Sequence, residues 1–375
     1  MKSWNSFPAL PLVLAGLFAF SGAALAQDQS GPDKDTDQTV AKPRTSTDAP
    51  PPDQAPIPSK FSKKNDPDVV GTVPSFKADI NMVNLDVAVL DNHNNPIPNI
   101  PRASFRVLED NVPQQIKSFG KSSAPMTVCL LIEFSNKFQW YGSSTWYQTL
   151  TAAYGFAQTL KADDYVAVIA YDMNEHILSD FTTDKRKTYE ALQMLRIPGF
   201  SEANLFDALS DTEDRMSKIE GRKAIVLLSS GVDTFSKLTL DKARKIIQDS
   251  AVPVYAISLM QALRIIAPGG ENIGFLQADN QMNTFARETG GIAFFPRFYG
   301  EFPSIFAQIS NSLRNEYSIG YEPTNMAHDG KFRKITVELV NPGTGEPLRV
   351  ENEKHKPIKY KIIAKNGYTA PREVE

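Results

Sequence analysis

Glu133-Phe-Ser135-Asn-Lys137 is the stretch of the chain best equipped to hold a ligand. It sets a carboxylate, a hydroxyl and an ammonium at the end of an apolar run, in which six of the seven residues from Val128 to Phe134 are hydrophobic. A continuous run of this kind marks a strand buried on both faces of a parallel sheet. In open α/β sheets, ligands bind outside the carboxyl ends of the strands. A second polar set, Ser229-Ser230-Gly231, closes the apolar run Ala224–Leu228. A hydrolase built on either serine would need a general base, and the sequence nominates none.

Other chemistry has little support. There is no Gly-x-Gly-x-x-Gly, no P-loop and no Gly-x-Ser-x-Gly elbow. The four histidines, His93, His176, His328 and His355, are scattered over turns and edges and are expected at the surface. The acid pairs Glu109-Asp110 and Asp163-Asp164 are expected to serve turns. Cys129 is the only cysteine and sits within the apolar run, so it is expected to be core rather than a reactive thiol. The expectation is a protein without catalysis. The aromatic loop from Phe138 to Tyr147 follows the candidate site directly. Phe138, Trp140 and Tyr141 are expected to be exposed there as an interface, since aromatic rings favour binding hot spots. Trp146 is expected to face the helix core.

Several elements must position these groups. Val83, Leu85, Val87 and Val89 alternate with less apolar residues, the period of a half-buried strand. Phe105–Leu108 and Gln115–Phe119 add two short strands, giving an antiparallel module too small to be stable alone. A helix over Ser144–Leu160 follows the central strand, with Tyr165–Tyr171 as the next strand and His176–Phe181 as a short edge strand. Asp184 is placed to cap a helix reaching Leu195. Then come a helix over Asn204–Lys218, the strand Ala224–Leu228, a helix over Leu240–Gln248, and the strand Val252–Ile257. A helix over Gln281–Thr289, the strand Ile292–Phe295 and a helix over Phe302–Arg314 complete the set. Strands alternating with helices indicate a doubly wound α/β fold with a mostly parallel sheet. From Tyr317 the pattern returns to β, with Tyr317–Tyr321, Phe332–Leu339 and Tyr360–Ile363. These strands are expected to pack with the N-terminal module as one sandwich.

The expected organisation is a signal peptide over 1–26, a disordered Pro-rich linker over 27–75 and an N-terminal β module over 76–122. An α/β domain over 123–316 and a C-terminal β segment over 317–375 follow. Lys2, the apolar stretch Leu10–Phe20 and Ala24-Leu25-Ala26 form the pattern of an export signal. The linker has few large apolar residues and cannot bury enough surface to offset its ordering entropy. With a net charge of −3, the chain shows no basic stripe and is not expected to bind nucleic acid. No membrane span is expected to remain after cleavage, which leaves the periplasm or the outside as its place.

Four stretches together resemble the von Willebrand factor type A (VWFA) domain, in the secreted VWFA-related family described from Acidobacteria. They are Ser104–Gln114, Asn204–Leu209, Arg222–Thr234, and Tyr317–Pro323 with Gly330–Ile335. The resemblance implies a Rossmann-like binding module and a partner that is a protein or a cell-surface ligand. It also implies a divalent ion, usually Mg²⁺, in a metal-ion-dependent adhesion site at the top of the sheet. That site takes an Asp-x-Ser-x-Ser loop, a Thr and a second Asp.

This sequence departs from that pattern. Glu133 stands for the first Asp, Ser135 is kept, Lys137 replaces the second Ser, Ala203 replaces the Thr, and Ser230 replaces the second Asp. At ~4 Å and an effective dielectric of ~20, a divalent ion and the Lys137 ammonium would repel by roughly 8 kcal/mol. The expectation is a degenerate, metal-free site in which Lys137 takes the place of the ion and pairs with Glu133. Two alternatives stay open: Lys137 points to solvent beside an inert loop, or a metal is kept by Glu133 and Ser135 with Ser201, Glu202 or Asp233 as substitutes. A purely structural envelope scaffold is the competing class.

Overall fold

The computed structural model describes residues 82–121, 125–136, 143–196, 199–219, 221–250, 252–260, 273–351 and 355–372. The expected signal peptide and linker lie outside them. Alternation shapes the first strand, β1 (Val83–Asp91), which is followed by β2 (Phe105–Glu109), β3 (Val112–Gln114) and β4 (Ile116–Lys121). Asp110 and Asn111 join β2 to β3 with φ of 47° and 65°. Two positive φ values in a two-residue hairpin loop suit Asp and Asn, which tolerate the left-handed region.

The central strand β5 spans Met126–Glu133, and every one of its residues is buried. After it come α1 (Ser143–Thr159), β6 (Tyr165–Tyr171), β7 (Glu175–Thr182), α2 (Lys185–Met194), α3 (Leu205–Ser217) and β8 (Arg222–Ser229). Then follow α4 (Leu240–Ser250), β9 (Val254–Ser258), α5 (Ile273–Thr289), β10 (Ala293–Phe294) and α6 (Phe302–Arg314). The Asp184 side chain caps α2 by accepting from Arg186 N.

The six strands lie in the order β10-β9-β8-β5-β6-β7. All neighbours are parallel except β6 and β7, so the sheet is doubly wound with one antiparallel edge strand. Alternate residues of β5 feed opposite layers. Val128, Leu130 and Ile132 face the layer of α1, α2 and α6, while Cys129 and Leu131 face that of α3, α4 and α5. Burying each such side chain contributes about 1.5–3 kcal/mol. Burial of Cys129 also pushes its thiol pKa up, as a core role requires.

The remaining strands are β11 (Tyr317–Tyr321), β12 (Phe332–Leu339), β13 (Val350–Glu351), β14 (Pro357–Ile358), β15 (Tyr360–Ile363) and β16 (Gly367–Thr369). They join the first four in two four-stranded sheets, β15-β1-β11-β4 and β16-β12-β2-β3. Leu85, Val87 and Val89 of β1 pack with Phe105, Tyr317 and Ile335 in the core these sheets share. Ala88 and Leu90, on the opposite face of β1, pack in the helix-lined core of the α/β layers. One strand therefore closes two cores.

Several sequence expectations are corrected. The helix placed at Gln281–Thr289 starts at Ile273, and the strand placed at Ile292–Phe295 shrinks to Ala293–Phe294. Glu109 is not a turn residue: it ends β2, is buried, and accepts hydrogen bonds from Tyr321 OH (2.7 Å) and Tyr368 OH (3.1 Å). Asp164 does more than shape a turn. It accepts from Met126 N (2.9 Å), Lys161 N (2.7 Å) and Arg314 Nη2 (2.8 Å), tying the starts of β5 and β6 to the end of α6.

Candidate functional site

The strand order reverses direction between β5 and β8, which are neighbours in the sheet but are separated in the chain by β6, β7 and three helices. Such a switch point opens a crevice at the carboxyl ends of the strands. Glu133 ends β5 and Ser229 ends β8, so the two sequence candidates meet there.

Glu133 is wholly buried, and its carboxylate is turned onto the chain's own donors. Oε1 accepts from Ser135 Oγ (2.8 Å) and Ser230 Oγ (3.0 Å). Oε2 accepts from Ser230 N (2.7 Å), Ser230 Oγ (2.8 Å) and Ser229 Oγ (2.9 Å). Behind these, Tyr171 OH donates to Ser229 Oγ at 2.7 Å and lies 3.4 Å from Glu133 Oε2. A carboxylate offers about four lone-pair positions. Here they are taken up from within the protein. Burial, with the Glu133 charge adding to it, holds the Tyr171 phenol pKa well above its ordinary value, so it stays a donor.

The β8 loop is fixed by the same groups. Ser229 Oγ accepts from Gly231 N (2.9 Å) and Ser230 Oγ from Val232 N (3.2 Å). Gly231 has φ +76°, and a Cβ there would lie 2.8 Å from Ala278 O and Met282 Cγ of α5. Only glycine lets this loop cross so close to the helix.

The remaining candidate positions serve the backbone. Ala203 is buried and brings no side-chain oxygen. Its carbonyl accepts from Thr234 N (2.8 Å) and Phe235 N (3.1 Å), and its N–H donates to Thr234 Oγ1 (2.9 Å). Asp233 accepts from Phe206 N (3.2 Å) and Ser236 Oγ (2.5 Å) at the start of α3. Ser201 Oγ donates to Glu202 Oε1 (2.7 Å). Mg²⁺ asks for an octahedral set of oxygens with one or two free carboxylates. Of the described donors, Glu133 has both oxygens occupied, Glu202 and Asp233 accept from Ser201 and Ser236, Ala203 brings no side-chain oxygen, and the serines are already committed within the chain. Lys137, Phe138, Trp140 and Tyr141 lie outside the described residues.

Tyr171 was not singled out by sequence reasoning, and Ser229 was weighed only as a nucleophile. The available signal was that β6, β8 and β9 each end in a hydroxyl residue, Tyr171, Ser229 and Ser258. Trp146 is buried as expected and donates from Nε1 to Leu195 O (2.6 Å). Of the histidines, His93, His328 and His355 are exposed. His176 is instead half-buried against Asp172, with Nε2 and Oδ1 3.1 Å apart, and this partner raises its pKa.

No family model matches the chain, and no curated protein does. Among solved structures it is similar to a von Willebrand factor type A protein from Catenulispora acidiphila, at 11% identity and a TM-score of 0.41, covering 80% of this chain and 76% of that one. It is similar to the vWF domain of the type V pili tip protein Mfa5 from Porphyromonas gingivalis, at 12% identity and a TM-score of 0.40, covering 51% and 96%. A third likeness is to proximal thread matrix protein 1 from the mussel byssus, at 10% identity and a TM-score of 0.40 over 52% of this chain. The chain spans about half (49%) of the length of that last protein. The doubly wound α/β fold rests on the strand order itself rather than on these distant likenesses.

Proposed function

We propose that the protein is an exported, non-enzymatic binding module that engages a protein or cell-surface ligand at the carboxyl edge of its sheet. The site works without a metal ion. The observation that carries this reading is the Glu133 carboxylate, set at the switch point and occupied on both oxygens by Ser135, Ser229 and Ser230. An ion entering there would have to displace hydrogen bonds that fix two strand ends, with no threonine hydroxyl at Ala203 to receive it. The resemblance to secreted VWFA-related proteins fits this reading, as does the export pattern of Met1–Ala26. No described helix is long and apolar enough to cross a membrane.

The deciding experiment has two arms. In the first, melting is followed with Mg²⁺, Mn²⁺ and Ca²⁺. A bound ion at a hundred times its Kd would add ~2.7 kcal/mol of stability, so a clear rise in Tm removes the metal-free reading. In the second, the full chain captures partners from envelope extract, with Ser201→Trp as a block at the sheet edge and Thr344→Trp as a block on the sandwich. Both positions are exposed. Loss with Ser201→Trp alone is the expected result, and capture indifferent to both points to a scaffold.

A further inference from the structure

A cleft of about 390 Å³ lies where the β-sandwich meets α4. That is within the range of small-molecule sites, about 300–1,000 Å³, which favour the junctions between modules. One wall is the side of α4 that carries Asp241, Arg244, Lys245 and Gln248. The facing wall is Gly330, Phe332 and Thr369, from the start of β12 and the end of β16. Residues at i, i+3, i+4 and i+7 share one side of a helix, so the four make a row about 10 Å long. Two parts of the cleft are held in place. Arg244 donates from Nε to Glu288 Oε2 (3.1 Å) and from Nη2 to Glu288 Oε1, and the Glu288 side chain is only 5% exposed. Among the described residues nothing takes the other edge of the guanidinium, which keeps three of the five N–H donors. Such an edge matches a carboxylate. Across the cleft the Phe332 ring is 41% exposed and lies over Gly367, where a Cβ would run into it.

The charge here is positive. Residues of α4, of 329–333 and of 367–372 supply the cations Lys242, Arg244, Lys245, Lys331, Arg333 and Arg372. Their acids are Asp241, Asp249 and Asp329, and Glu288 beneath Arg244 makes a fourth. Asp329 is paired with Arg333 (2.9 Å) and Lys331 (3.6 Å), and Asp249 is bonded to Thr369 Oγ1. That leaves Asp241 as the acid of the cleft, one turn before Lys245. The lining therefore asks for an anion, a body that packs on a ring, and hydroxyls. Bare phosphate leaves Phe332 unused, and an aromatic acid leaves Asp241 and Gln248 unmatched. A free amino acid satisfies Arg244 and Asp241 but not the length of the row. A sugar acid meets every group: its carboxylate at Arg244 and Lys245, its hydroxyls at Asp241 and Gln248, and its C–H groups on the negative face of the Phe332 ring.

We propose that this cleft is a second binding site, separate from the carboxyl edge, that takes an acidic oligosaccharide whose sugar rings carry carboxylates.

Calorimetric titration of the full chain with trigalacturonate tests it, with maltotriose as the neutral sugar and phenylalanine as the amino acid. Trigalacturonate binds, and the other two bind at least about tenfold more weakly. Arg244→Lys keeps a charge for Glu288 but loses the fork, and it weakens trigalacturonate by about tenfold or more. Phe332→Ala removes the ring and weakens it by about fivefold or more. Ser201→Trp, at the carboxyl edge, leaves it within about twofold. Phe332 is on the surface, so its variant is expected to melt as the parent does. If Arg244→Lys lowers the melt, Phe332→Ala decides alone. Any of five results overturns the proposal: no binding of trigalacturonate, equal binding of maltotriose, tighter binding of phenylalanine, unweakened binding by the Phe332→Ala chain, or an equal loss with Ser201→Trp.

Discussion

The two ends of the central sheet are finished in opposite ways. At the amino end, where the β-sandwich meets the α/β layers, polar groups pair with one another within the chain. Glu316, between α6 and β11, is buried and accepts from Tyr255 OH of β9 (2.8 Å). Asn366 N donates to Glu288 O (3.4 Å), Arg244 pairs with Glu288, and Thr369 Oγ1 bonds Asp249. At the carboxyl end no second module intervenes among the described residues. The polar groups turn inward on Glu133, and the apolar ones turn outward. The contrast shows that buried polar chemistry alone does not distinguish the two ends. Both ends hold a buried glutamate, but only the carboxyl end leaves several aromatic rings in water.

That contrast can be broken most severely from inside the carboxyl end. Glu133→Ala removes the shared acceptor of Ser135, Ser229 and Ser230 and leaves buried donors unpaired. Urea unfolding is expected to show a loss of about 3–5 kcal/mol, against about 1–3 kcal/mol for Glu133→Gln. A loss under about 1 kcal/mol would mean that the cluster is solvated and open.

The seam at the amino end is next. Gly290 has φ +85°, and a Cβ there would lie 2.6 Å from Lys365 N and 2.9 Å from Ala364 C. Gly290→Ala is expected to cost about 2–3 kcal/mol by thermal melting while leaving partner capture at the far end intact.

A pH series separates the ends further. Burial, with the Asp86 charge adding to it, pushes Glu316 up to about 8 from its ordinary 4.5. Between those values the folded chain holds a proton that the unfolded chain has released, so stability falls as pH rises through that window. Glu316→Gln should flatten the slope, gain about 1–3 kcal/mol at about pH 9, and change little below about pH 4. An unchanged slope would place the pH response elsewhere.

The smallest effect is expected at His176, whose pairing with Asp172 raises its pKa. Its contribution is complete below the ordinary histidine value of 6.5 and fades as pH rises through the raised one. His176→Gln is expected to cost no more than ~0.5 kcal/mol in acid and nothing in base, read from the same melts.

How much of this was legible in the sequence depended on length and on distance along the chain. The strands β5, β6 and β8 announce themselves because both of their faces are buried, leaving unbroken apolar runs. β3 and β16 have three residues each, too few for a period to be counted. The start of α5 was missed because Gly274 sits in its first turn and reads as loop punctuation. Glu133 and Ser230 were found as positions, but their meaning was not. Tyr171 and Ser229 reach Glu133 across 38 and 96 residues, and no local pattern carries such a pairing. The exposed ring of Phe235 was equally hidden, since its setting depends on a backbone bond to Ala203.

The two-faced strand β1 has a consequence in time as well as in space. Val83 pairs with Tyr321, about 240 positions downstream, and Ala88 with Ile363, further still. At synthesis rates of about 5–20 residues per second, β1 is without both neighbours for on the order of ten to fifty seconds. In that interval Val-Asn-Leu-Asp-Val-Ala-Val-Leu-Asp is an apolar segment of high β propensity with both edges open, the kind that joins other chains. Asn84, Asp86 and Asp91 interrupt it with polar and charged side chains, as gatekeepers do. The acids along β1 thus protect the newborn chain before its partners exist.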